Sequence, residues 1–450
     1  MTSDSNQGLA REIGLRDGIA LVAGTIIGSG IFIVPAVIAQ QVPQLSLVLL
    51  VWVAGAVLAF TGGLALGELG AMFPSAGGVY VYLRETFGLP VAFVYGWASF
   101  VAIESGGVAA LSAAFSIYLG QLLSLSVFEQ KLSSVLMILV LTVVNILGVK
   151  FGKQVQNVFA ICKFGGLAGM CVVLLTNANL PLLRSNMAGP EGASTNISLF
   201  GVALLAAMWA YFGWHNVLFN TGEFRNPQRD LGKALVIGVL IVTAAYVLAN
   251  LAYYAVLTGA EVSDAKRVAA LALGTVLGPK AASLLALLIM TSVIGSANGI
   301  IMSSTRIPFA MAADGMLVPA LARCNPNTKT PILAISALGA WAMVLASVGS
   351  FAELIESVVF TSGLFFSLAV IGMMKLRRTQ PNRVRPFVAW GYPWLPALFV
   401  VAYFGLFVNT YITNPKGSLI GTGLVLLGVP AYYVFKAINA RTAVQEVAAD

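Results

Sequence analysis

The chain is 450 residues long, 59% hydrophobic and only 9% charged, with a mean hydropathy of +0.91. A soluble domain carries about 25% charged residues, so the composition excludes a soluble globular protein and describes one that crosses a membrane many times. The net charge of +8 is spread over short connecting segments rather than gathered in a nucleic-acid-binding stripe.

The first sixteen residues are polar, and the apolar run that follows is longer than a signal-peptide core, so no cleavable leader is expected. Runs of about 20 apolar residues, the length that crosses a bilayer, fall near 17–40, 46–72, 90–119, 132–149, 155–176, 198–221, 232–258, 281–308, 332–349, 353–375, 389–412 and 418–437. The reading is therefore an all-α integral membrane protein with twelve transmembrane helices. Its parts are a cytoplasmic segment 1–16, five helices in 17–176, five in 198–376, two in 389–437 and a cytoplasmic tail 438–450. With the N-terminus inside, the cytoplasmic connections hold eighteen of the 25 Lys and Arg and the outer ones six. This positive-inside bias places both termini in the cytoplasm and the chain in an inner or plasma membrane.

The first segment contains Gly24-Thr25-Ile26-Ile27-Gly28-Ser29-Gly30-Ile31-Phe32, followed by Pro35. Three glycines cost a helix about 1 kcal/mol each. Two explanations are open: a close helix–helix contact through small residues, or a deliberate break lining a polar cavity. The third segment carries an acid, Glu104, in Ala102-Ile103-Glu104-Ser105-Gly106-Gly107. It reads either as a buried hydrogen-bonding group or as a coupling or cation-recognition group. Lys163 lies mid-bilayer in the fifth segment, about 15 Å along the helix from Lys153 at 1.5 Å per residue. That is too deep for snorkelling, and such a residue is functional by default.

The sixth segment holds a second interruption, Trp209-Ala210-Tyr211-Phe212-Gly213-Trp214-His215-Asn216. Five crossings separate it from the first, so the two breaks enter the membrane from opposite sides. Interrupted segments at corresponding positions of two halves point to an inverted repeat with its site at the midplane. This favours the cavity explanation and predicts a five-plus-five repeat with broken helices 1 and 6. Asn298, in the eighth segment, either faces the pocket or packs between helices.

The cysteines give no disulfide framework: Cys162 and Cys171 share one apolar segment and Cys324 lies in a loop. One histidine cannot supply a metal cluster, and no nucleophile–base set is present, so neither an enzyme nor a cofactor is expected.

Together these residues resemble the amino acid–polyamine–organocation transporter superfamily, in particular its LAT-like branch of L-amino acid transporters. The likeness runs through Gly28-Ser29-Gly30-Ile31-Phe32 and Glu68-Leu69-Gly70 with Pro74-Ser75-Ala76-Gly77-Gly78-Val79-Tyr80. It continues in Ala210-Tyr211-Phe212-Gly213-Trp214 with Glu223 and Asn226-Pro227, in Gly295-Ser296-Ala297-Asn298-Gly299 with Ala313-Asp314-Gly315-Met316, and in Arg385-Pro386. The resemblance implies the same five-plus-five fold and sodium-independent L-amino acid transport. Exchange is the expected mode. Proton symport, a cationic amino acid or polyamine substrate, and a sensor or channel on the same fold are the alternatives.

Free N–H groups at a helix N-terminus suit a carboxylate, which assigns Gly28, Ser29 and Gly30 to the substrate carboxylate. Unwound carbonyls of Thr25, Ile26, Trp209, Ala210 and Phe212 are the natural acceptors for its ammonium, and Gly213 belongs to the same unwound stretch. Phe212 looks like the family's covering residue, and Trp209 reads as a pocket wall. His215 stands where related members carry Asn or an acid, and is open between substrate contact, titration and a structural role. In the resembled family a fifth-helix lysine occupies the place of a sodium ion, so Lys163 predicts sodium independence. Few acids near the pocket favour neutral substrates. The segment around 120–131 lacks the cysteine that tethers a partner glycoprotein in heteromeric members. A stand-alone chain, monomeric or weakly homo-oligomeric, is expected.

Overall fold

The computed structural model describes residues 11–190, 196–278, 280–349 and 351–449. Residues 1–10, 191–195, 279, 350 and 450, which include parts of the expected N-terminal segment and C-terminal tail, lie outside the described residues. Everything regular among the described residues is helical, apart from one isolated parallel bridge, Ile13 with Phe224. That is the solution hydrocarbon imposes, because a helix satisfies its own backbone.

Nine helices among the described residues are long and apolar enough to cross a bilayer, and a bent pair, Leu15–Ile26 with Gly30–Gln41, makes a tenth. The expected count of twelve is not reached by length. The sixth and ninth segments form helices of only 15 residues, Ile197–Tyr211, and 17 residues, Ile332–Val348. The sixth is short because its break ends it early. The third segment is a 35-residue span, Leu89–Leu123, interrupted by a π-helical turn at Ser99–Ile103. Short helices at Val79–Phe87, Leu180–Ala188 and Val268–Leu277 occupy connections.

The halves of the first segment pack inside the bundle, the inner half against the seventh and eighth segments and the outer half against the sixth. One end of the bundle is stapled by buried and half-buried charges. Arg306 donates to Glu223 at 2.9 Å, and the Glu223 carbonyl accepts from Ile13 N–H at 3.0 Å, pinning the start of the first segment. Arg84 and Tyr80 both donate to Asp314, at 2.6 and 2.8 Å. Glu68 is buried against Arg377, Arg385 and the Ala389 N–H. A buried carboxylate with these partners is compensated, so Glu68 serves an ion-pair network and accepts from the backbone at Ala389.

Candidate functional site

The inner half of the first segment ends at Ile26, the outer half starts at Gly30, and the two are bent by 48°. The first N–H groups of the outer half have no acceptor within their helix. The sixth segment breaks at Phe212, whose backbone is extended, and turns through Gly213 at φ +104°. Only glycine adopts that conformation cheaply, and a Cβ there would lie 2.9 Å from the Thr25 carbonyl oxygen.

The two breaks touch directly. The Thr25 hydroxyl donates to the Gly213 carbonyl at 2.9 Å. Tyr246, from the seventh segment, donates to the Ala210 carbonyl at 2.9 Å and approaches the Ile26 carbonyl at 3.2 Å. Beside them lies a cavity of about 20 Å³ lined by Thr25, Ile26, Gly28, Ser29, Gly30, Leu111, Trp209, Phe212 and Ile300. It has room for about one water. Phe212 and Trp209 stack at 5.8 Å between ring centroids. The Ser29 hydroxyl is buried without a hydrogen-bond partner, an unmade bond worth roughly 1–3 kcal/mol. A larger groove of about 570 Å³, formed by the third and tenth to twelfth segments, is lined almost wholly by apolar side chains. It offers little to a carboxylate or an ammonium.

The structure thus gathers Thr25, Ile26, Gly28, Ser29, Gly30, Trp209 and Phe212 around one cavity. Ala210, Gly213, His215 and Asn298 do not line it. Ala210 packs under Gly30, where an added Cβ would come within 2.6 Å of the Ala210 Cα; Gly30 therefore combines both readings of the glycine stretch. Asn298 accepts from Asn145 at 2.9 Å and donates to Gln156 at 3.3 Å, joining the fourth, fifth and eighth segments. His215 is fully buried next to Phe212 and lies 3.0 Å from Glu104.

Lys163 is fully buried. Its ammonium donates to the Gly24 carbonyl at 2.6 Å, the Ile27 carbonyl at 2.8 Å and the Ser296 hydroxyl at 3.0 Å. Three acceptors match its three protons. Ser292 and Ser296, one turn apart on the eighth segment, add bonds to the Ile27 carbonyl at 3.1 and 2.9 Å. Gly295 leaves the space the lysine stem fills, since a Cβ there would lie 3.3 Å from Lys163 Cε. One cation thus collects the C-terminal carbonyls of a half-helix and a neighbouring hydroxyl, the donor set that oxygen-loving cations take.

Residues 13–435 match the amino acid permease family. The chain belongs to that family. It is 31% identical over 442 residues to the b(0,+)-type amino acid transporter 1 of Rattus norvegicus, covering 96% of this chain and 90% of that one. It is also 31% identical to a serine/threonine exchanger of Bacillus subtilis, covering 96% and 98%, and 29% identical to the human cystine/glutamate transporter, covering 95% and 85%.

Sequence reasoning missed the roles of Tyr246, Ser292 and Ser296 in this permease. The serines carried a signal, their one-turn spacing on an apolar helix. Tyr246 is a single polar tip among four buried tyrosines near the break, and nothing in the sequence singles it out. Leu111 and Ile300 are ordinary apolar residues that only the fold brings to the cavity.

Proposed function

We propose that this permease is a sodium-independent secondary transporter that exchanges L-amino acids, neutral ones foremost, by alternating access. The observation that carries the reading is the Lys163 ammonium bound to the Gly24 and Ile27 carbonyls, a tethered charge where a free cation would otherwise hold the broken helix. The carboxylate of the substrate binds the N–H groups of Gly28, Ser29 and Gly30 and takes the unpartnered Ser29 hydroxyl. Its ammonium binds the carbonyls of Thr25 and Ile26 with those of Trp209 and Phe212. The Ala210 carbonyl already accepts from Tyr246, whose hydroxyl also lies 3.2 Å from the Ile26 carbonyl, but each carbonyl has a second lone pair.

An amino acid is several times larger than the 20 Å³ cavity, so Trp209, Phe212 and Ile300 separate when it binds and close on it afterwards. Closure from alternate sides, with the breaks as hinges, is alternating access. Exchange is supported by the printed name of the Bacillus subtilis relative. The excess of Lys and Arg on one set of connections supports cytoplasmic termini in a cell membrane. The absence of cysteine from 120–131 supports a chain that works without a disulfide-linked subunit.

The test is counterflow in proteoliposomes holding the full chain, screened over the twenty amino acids and common polyamines. Trans-stimulated uptake is expected. A channel or a sensor gives none, and either result would replace this reading.

A further inference from the structure

Next to Phe212 and outside the cavity lining, Glu104 and His215 face each other at 3.0 Å, from Oε1 to Nε2, at 1% and 0% exposure. Carboxyl Oε2, imidazole Nδ1 and both ends of the Asn216 side chain are buried without partners. His215 meets four aromatic rings, those of Phe212 at 4.9 Å, Trp214 at 5.7 Å, Phe219 at 5.5 Å and Phe366 at 4.6 Å. The third segment reaches this point through the π-helical turn that ends at Ile103. Such turns are rare and gather at functional sites.

We propose that Glu104 and His215 form a proton-binding site holding one shared proton, and that this proton sets the rate of transport. The proposal rests on the transporter reading above and adds a second ligand to it. The charge balance decides the occupancy. With one proton, on Oε1 or on Nε2, the pair is neutral overall. Losing it leaves a carboxylate beside a neutral imidazole, net −1; a second proton leaves net +1. Either charge would stand among aromatic rings in low dielectric with no counter-ion bonded to it, which is costly. Tyr95 of the same segment is a further titratable group close to Glu104. The seventh segment, the eighth and the tenth bring no charged side chain into hydrogen-bond contact with the pair among the described residues.

Phe212 links this site to the cavity. One side of its ring lines the cavity. Its ring meets that of His215 in an edge-type contact at 4.9 Å, and its Cε1 lies 3.4 Å from where a Gly107 Cβ would stand. Glu104, Gly107 and Leu111 follow one face of the third segment at helical spacing, running from the proton site past Phe212 to the cavity. When Phe212 moves to admit substrate, water reaches the pair and becomes the acceptor for its proton. The unprotonated pair then carries a charge that Phe212 cannot reseal at low cost, so the return step needs the proton back.

The test uses the full chain in sodium-free proteoliposomes, with counterflow of radiolabelled L-serine and L-leucine from pH 5.5 to 8.5, and the variants Glu104→Gln and Glu104→Gln/His215→Asn. Counterflow of the parent protein should fall with rising pH, approaching about tenfold per unit once a single required proton is lost. The double variant, which has no titratable group there, should be flat, and Glu104→Gln, which removes the carboxylate that shares the proton, should lose most of the parent's slope. A flat parent, or variants that keep its slope, would overturn the proton site and leave the transporter intact. No counterflow at any pH would instead remove the transporter reading.

Discussion

The Lys163 ammonium sits 2.6 Å from the Gly24 carbonyl, joining the middle of the fifth segment to the last turn of the first segment's inner half. With Ile27 and Ser296 it ties three segments together at the hinge of the bend. Lys163→Met should keep the stem and lose the bonds. Leaving these acceptors short of a donor costs about 1–3 kcal/mol, partly relieved by Ser292 and Ser296. Thermal stability should fall by a few degrees and counterflow by at least about tenfold. Undiminished counterflow would show that the bridge is not part of the transport cycle.

Tyr246 reaches both breaks through one hydroxyl, at Ile26 and at Ala210. Tyr246→Phe removes that hydroxyl without changing shape. The expected loss is about 1–3 kcal/mol, read as a lower melting temperature and slower uptake in the same samples. A variant that melts like the parent and transports like it would mean the breaks hold each other without Tyr246.

Gly30 and Gly165 make a matched pair. An added methyl at Gly30 would strike the Ala210 backbone, whereas at Gly165 it meets nothing within 4 Å. Gly30→Ala should destabilise and abolish transport, since overpacking costs about 1–3 kcal/mol. Gly165→Ala should be neutral or stabilising by up to about 1 kcal/mol, the helix-propensity difference. Melting curves of the two variants side by side check this, and equal effects would contradict the close approach.

How much of this was legible beforehand follows the physics of each signal. Glycine runs, a mid-bilayer lysine and a polar interruption stand out against a bilayer's demand for apolar helices, so Gly28 to Gly30, Lys163 and Phe212 were readable as a group. Glu104 and His215 were each visible as costly polar residues, but 111 positions apart, and only the fold shows that they face each other. Asn298 was ambiguous because a buried amide bonds equally well to a neighbouring helix or to a ligand; here its partners are Asn145 and Gln156. Tyr246 gave no signal. Element lengths were the least readable, because an apolar run continues past a break that ends its helix, as at Tyr211.

Ser29 carries the unpartnered hydroxyl beside the cavity. Ser29→Leu should fill that space and weaken amino acid binding by about tenfold or more, as overpacking a closed site does. The protein should still fold, with its melting temperature without substrate lowered by a few degrees, because leucine outgrows a cavity of about 20 Å³. Scintillation proximity binding of a labelled amino acid that the counterflow screen identifies measures it, and unchanged affinity would move the carboxylate site elsewhere.

The central claim is that Lys163 takes the place of a coupling cation. Its most direct test is counterflow of labelled L-amino acid into preloaded proteoliposomes in choline buffer free of sodium, repeated with sodium added. The account predicts full trans-stimulated uptake without sodium and no increase when it is supplied. Uptake that appears only with sodium would contradict it.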